Sequence, residues 1–169
     1  MPLPKRKLPR YSEYDYSTPG IYFITICTHN KACLFGNIPK ATPNEDIAIV
    51  YSSIGLIAKE QLLQVEKHYD NVQIDNWVIM PNHIHLLVRI SERINPFPTI
   101  AFDISNIIGK YKAAVTRNAK NTLNYANNLW QTSFYDHIVR DENDYLKIWQ
   151  YISGNPSKWI DDCFYIPTP

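Results

Sequence analysis

Three residue types in this chain are suited to chemistry on a charged backbone: a histidine pair, one particular tyrosine and an amide close behind it. His83 and His85 sit in HIHLLVRI, a run dense in β-branched and aliphatic residues. Side chains alternate faces along a strand, so the two imidazoles share one face, roughly 7 Å apart. Ile84, Leu86, Val88 and Ile90 share the other. Two imidazoles aimed the same way can hold one divalent cation. No cysteine or carboxylate lies next to them in sequence, which disfavours a closed structural zinc site. An open, hydrated Mg²⁺ or Mn²⁺ site with one more oxygen ligand fits better. A His-x-His pair by itself is weak, because a strand histidine is commonly a structural residue.

The tyrosine is Tyr151, in DYLKIWQYISGNP. Tyr145, Ile148, Trp149 and Ile152 fall at helical spacing and are expected to form the buried stripe. Tyr151 lies on the flank, and Asn155, one helical turn later, falls on the same side. A phenol ionises near pH 10 and is a poor nucleophile unaided. A metal on the phosphate under attack would neutralise charge and orient the reaction. Asn155 is a candidate for the missing oxygen ligand, although it serves equally as a helix-end residue before Pro156. Gly154 is expected to loosen that helix end.

These residues need a scaffold. Ile21–Thr28 follows a Pro-Gly turn and reads as a central strand. Residues 30–44 read as loop, and residues 47–51 as a short edge strand. Ser52 or Ser53 caps a helix to about His68, with Leu56, Ile57, Leu62 and Leu63 as its apolar positions. Residues 72–80 and 83–90 form strands joined at Pro81-Asn82. A second helix runs from about residue 100 to 120, a fourth strand from 133 to 140, and the tyrosine helix from 141 to 153. Strand, helix, strand, strand, helix, strand plus one helix is an α+β, ferredoxin-like (split βαβ) arrangement. Its antiparallel sheet carries helices on one face and leaves the other open. One domain over residues 1–169 is expected, with a basic, tyrosine-rich arm (1–19) and a tail (160–169).

Composition sets the limits. A chain of 169 residues, 45% hydrophobic, can bury a real core. Net charge is only +1, so contact with nucleic acid must rest on local patches. Lys5, Arg6, Lys7 and Arg10 cluster in the arm near Tyr11, Tyr14 and Tyr16; they suit phosphates and stacking, or simply a solvated face. Three cysteines without a CxxC pair and without a signal peptide fit a reducing, cytoplasmic setting. Cys27 reads as a small core residue. No apolar stretch approaches a membrane span.

The segments themselves resemble a known family. WVIMPNHIHLLV (77–88) resembles the HUH segment of single-tyrosine transposases. YDYSTPGIYFITICTHNKACLFG (14–36), KYKAAVT (110–116), LWQTSFYDHIVRDENDY (129–145) and YISGNP (151–156) resemble REP-associated tyrosine transposases. The resemblance implies cleavage and rejoining of single-stranded DNA beside a hairpin through a 5′-phosphotyrosine link. It implies Tyr151 as nucleophile, His83, His85 and Asn155 as ligands of Mg²⁺ or Mn²⁺, a monomer or homodimer, and a nucleoid-associated place in the cytoplasm. Lys110, Lys112 and Arg117, in and beside KYKAAVT, are expected at phosphates, with a solvated helix face as the competing reading. His137 is expected near the site or as a structural residue. A catalytically idle hairpin-binding module and an unrelated metal-dependent hydrolase are the alternatives.

Overall fold

The computed structural model describes residues 18–39, 48–92 and 103–165. Four antiparallel strands form the main sheet: β1 (Gly20–Cys27), β4 (Val72–Ile79), β5 (His83–Ile90) and β6 (Tyr135–Val139), in the order β4-β5-β1-β6. Two-residue strands β2 (Gly36–Asn37) and β3 (Val50–Tyr51) pair separately within the expected loop and edge region. The helices are α1 (Ser53–His68), α2 (Ile104–Leu123) and α3 (Glu142–Gly154). The order and the antiparallel pairing give the expected ferredoxin-like sheet.

Caps fix the helix starts. The Ser52 hydroxyl accepts from Gly55 N, the Asp103 carboxylate from Ser105 N and the Asp141 carboxylate from Asp144 N. Asn124 ends α2 in the left-handed conformation. The central strand β1 is apolar on both faces, as a strand covered on both sides must be. Tyr22, Ile24 and Ile26 join Ile84, Leu86 and Val88 under α1 and α2, together with Leu62, Ile107, Ile108 and Val115. On the other face Ile21 and Phe23 meet Leu87, Val78, Val139 and the buried α3 residues Ile148 and Ile152.

Two expectations change here. The second sheet face is not open, because α3 and the segment after it lie across it. The stripe of α1 is also rotated. Leu56 and Leu63 are 56% and 52% exposed, while Gly55, Ala58, Leu62 and Val65 face the core. Gly55 explains the rotation, since a Cβ there would run into the Phe35 carbonyl oxygen. Small residues let the helix approach closely, and bulky ones turn outward. In α3, Trp149 is likewise 38% exposed rather than part of a buried stripe.

Candidate active site

His83 and His85 do share the α3 face of β5, opposite Cys27 and Thr25 of β1. Both are buried, and their rings lie 4.5 Å apart. Their hydrogen bonds set which nitrogen is free. Asn82 Nδ2 donates to the carbonyls of Lys31 (3.1 Å) and Phe164 (2.8 Å), so its Oδ1 must accept. That oxygen lies 2.9 Å from His83 Nδ1, which therefore carries the proton and leaves a lone pair on Nε2. His83 Nε2 is buried and has no hydrogen-bond partner among the described residues. His85 Nδ1 pairs with the Thr25 hydroxyl at 2.8 Å, and its Nε2 faces the Tyr151 hydroxyl at 3.3 Å. Burial, then the neighbouring His85 and Lys31, hold His83 well below the ordinary imidazole range. Burial pushes His85 down to about 3. Both rings are neutral at neutral pH, the form that binds metals.

The tyrosine reaches this pair from α3, 66 residues away in sequence from His85. Phe23 of β1 lies between the two elements, stacked on His85 and edge-on to Tyr151. Tyr151 is 44% exposed although its hydroxyl turns inward. Burial raises its pKa, the Asp162 charge adds to that, and the Asn155 amide pulls it back down. Asn155 is buried with helical backbone angles, and the chain runs on into a 3₁₀ turn, Pro156–Asp161. The backbone thus stays helical through Gly154. Asn155 Oδ1 has no hydrogen-bond partner among the described residues.

A carboxylate that the sequence did not reveal completes the cluster. One ligand atom from each of His83, His85 and Asp162 lies within 4.8 Å of the others. Asp162 Oδ1 accepts from Phe164 N at 2.7 Å, and Oδ2 stands 4.0 Å from His83 Nε2. An imidazole lone pair and a carboxylate oxygen cannot satisfy each other without a proton or a cation between them. The His83 Nε2 lone pair, the His85 imidazole, the Asp162 carboxylate and the Asn155 oxygen suit a hard or borderline divalent cation. Residues 162–164 of the expected tail thus lie against the histidine pair. Phe164 packs on His83 at a 4.5 Å ring separation, with Trp159 behind it at 6.1 Å. Only the order Asp161-Asp162 after an aromatic hinted at this, and 79 residues separate it from His83.

The expected phosphate contacts are dispersed. Lys112 donates to the Gln131 carbonyl at 2.6 Å and lies over Trp130, so it braces the approach to β6. Lys110 and Arg117 line a groove between α1 and α2, across the sheet from Tyr151. Lys5, Arg6, Lys7 and Arg10, with Tyr11, Tyr14 and Tyr16, fall outside the described residues. His137 is structural: its Nε2 lies 2.7 Å from Asp144 Oδ2, tying β6 to the start of α3.

The chain is similar to known proteins. The chain is 34% identical over 175 residues, 95% of its own length and 93% of the other's, to an uncharacterized protein of Haemophilus influenzae. It is 27% identical over 93 residues to the REP-associated tyrosine transposase of Escherichia coli K12, covering 52% of this chain and 47% of that one. The solved structure of a REP-associated tyrosine transposase bound to a REP hairpin shares the fold, with a TM-score of 0.62 and 21% identity over 88% of this chain and 73% of that chain. The profile described as "Transposase IS200 like" matches residues 43–155, more than half of the sequence, and the chain belongs to that transposase family.

Proposed function

We propose that this transposase cleaves and rejoins single-stranded DNA beside hairpin, REP-like elements, with Tyr151 as nucleophile. The observation that carries the reading is the meeting of the Tyr151 hydroxyl with His85 Nε2 at 3.3 Å, beside the His83–Asp162 cluster. The Tyr151 oxygen bonds to phosphorus, the bond from phosphorus to the 3′ oxygen breaks, and the phenol proton ends, through water, on the freed 3′-OH. The 5′-phosphotyrosine keeps the ester linkage, so a second 3′-OH can reverse the step without an added energy source. His83 and His85 would hold Mn²⁺ or Mg²⁺ with an oxygen of Asn155 or Asp162. Such an ion supplies charge neutralisation at the phosphate. Asn82 fixes the His83 ring so that its Nε2 lone pair faces the site, and Thr25 holds the His85 ring at Nδ1 with Nε2 toward Tyr151.

Burial of both histidines beneath Phe164 favours one competing reading, a hairpin-binding protein with an idle centre. Incubation of the full chain with single-stranded hairpin oligonucleotides and Mn²⁺, followed by denaturing gels, separates the readings. A covalent protein–DNA band that Tyr151→Phe abolishes, with hairpin binding kept, is the expected result. Cutting that survives Tyr151→Phe points to a hydrolase using metal-bound water. No adduct across a broad hairpin library points to the binding module.

A further inference from the structure

The ladder between β4 and β5 slips once. Ile74 pairs with Val88 and Asn76 with Leu87, which leaves Asp75 as an extra residue in β4. An extra residue breaks the alternation of faces, so two successive side chains can point the same way. Here both point at α3. Tyr145 donates to Asp75 Oδ2 at 3.1 Å, and Arg89 holds the same carboxylate at 2.6 Å. Asn76 Nδ2 lies 3.2 Å from the Trp149 carbonyl and 3.1 Å from Ser153 Oγ. Trp149 and Ser153 bracket Tyr151 on the helix. Beyond the bulge the alternation resumes, so Trp77 returns to the α1–α2 side and Val78 to the α3 side.

We propose that Asp75 and Asn76 are positioning residues, and that the β4 bulge sets the rotation and height of α3 so that Tyr151 meets His85. The inference rests on Tyr151 being the nucleophile. Apolar contact specifies α3 incompletely, because among the described residues only Leu87, Ile148 and Ile152 of its cluster are buried, while Ile21, Phe23, Val78, Val139 and Tyr145 are partly exposed. A helix sliding by one residue turns its side chains by roughly 100° and shifts them about 1.5 Å. A misplacement of about 1 Å at a reacting atom can lower a rate about 100-fold. Asn76 contacts Trp149 and Ser153, one turn apart, and so resists both movements. Asp75 does the same at the first turn through Tyr145.

The test uses the full chain with Mn²⁺ and a hairpin oligonucleotide that wild type attacks. Asn76→Ala should slow single-turnover adduct formation about tenfold, the size of one to two net hydrogen bonds. The half-saturating oligonucleotide concentration should stay within about twofold. Asn76→Asp keeps the size but loses the donors, and should fail as alanine does. Tyr145→Phe, which removes a single hydroxyl, probes the other anchor and should slow the reaction less. Hydrogen exchange should quicken at α3 amides and stay unchanged in β1 and β5. An adduct rate within twofold of wild type in Asn76→Ala and Asn76→Asp overturns the proposal, whether or not α3 exchange changes. So does a loss shared equally by β1, β5 and DNA binding, which would mark a general stabiliser. Absence of any adduct in wild type sinks the nucleophile reading instead, and α3 exchange then decides the tether alone: unchanged exchange in Asn76→Ala refutes it.

Discussion

The two faces of the sheet are built on different principles. Under α1 and α2 lies a continuous apolar layer in which Tyr22, Ile24, Ile26, Ile84 and Leu86 are essentially inaccessible. Under α3 the apolar cluster is small, and polar contacts do much of the fastening: Asp75 with Tyr145, Asn76 with Trp149 and Ser153, His137 with Asp144. Close packing holds many side chains at once and forgives little. A polar fastening is directional and weaker, so it can set geometry without adding much to stability. The contrast assigns stability to one face and the proposed chemistry to the other.

Four outcomes would break or sharpen that division. The largest is in the apolar layer. Ile24→Ala should lower unfolding free energy by about 2–5 kcal/mol, read by urea denaturation. If it lowers stability no more than a change on the α3 face does, the division is wrong. Next is metal linkage. Mn²⁺ at one hundred times its dissociation constant should stabilise wild type by roughly 2.7 kcal/mol. His85→Gln should lose nearly all of that shift and Asp162→Asn part of it, measured by thermal or urea unfolding with and without the ion.

Acid comes third. In the metal-free protein the unfolded chain takes up a proton on His85 near 6.5, whereas the folded chain resists until about 3. The unfolded state therefore binds more protons between those values. Stability is whole above pH 6.5 and declines as pH falls toward 3. His85→Gln should flatten that decline in a urea series at fixed pH steps; an unchanged slope would show that other groups govern it. The smallest effect is expected outside both faces. Leu56→Gln and Leu63→Gln should move stability by no more than about 0.5 kcal/mol, against several-fold more for a buried leucine.

Much of this was legible in the chain. Period-two alternation in HIHLLV put both imidazoles on one face, and helical spacing put Tyr151 and Asn155 on one side. The strand and helix order followed from apolar runs and turn residues. What escaped has physical causes. Bulk misled at α1, because close approach at Gly55 and Ala58, not leucine side chains, decides which face turns inward. The same bias placed Trp149 in the core. Asp162 entered the site through a chain reversal after α3 that leaves no periodic trace. The Asp75–Asn76 bulge is one residue in an otherwise regular strand, and only pairing with β5 reveals it.

Synthesis gives the arrangement a chronology. A chain grows from its N-terminus, and folding of early segments can begin before late ones exist. The histidines arrive at positions 83 and 85, Tyr151 much later, and Asp162 and Phe164 later still. The edge of β1 that pairs with β6 also stays unoccupied until residue 135 and beyond are made. A nascent or truncated product therefore carries the imidazole pair without the phenol proposed as nucleophile, and without the carbonyl of Phe164 that helps fix the proton on His83. On the proposed reading, the cutting site is assembled only after Asp162 and Phe164 have been made.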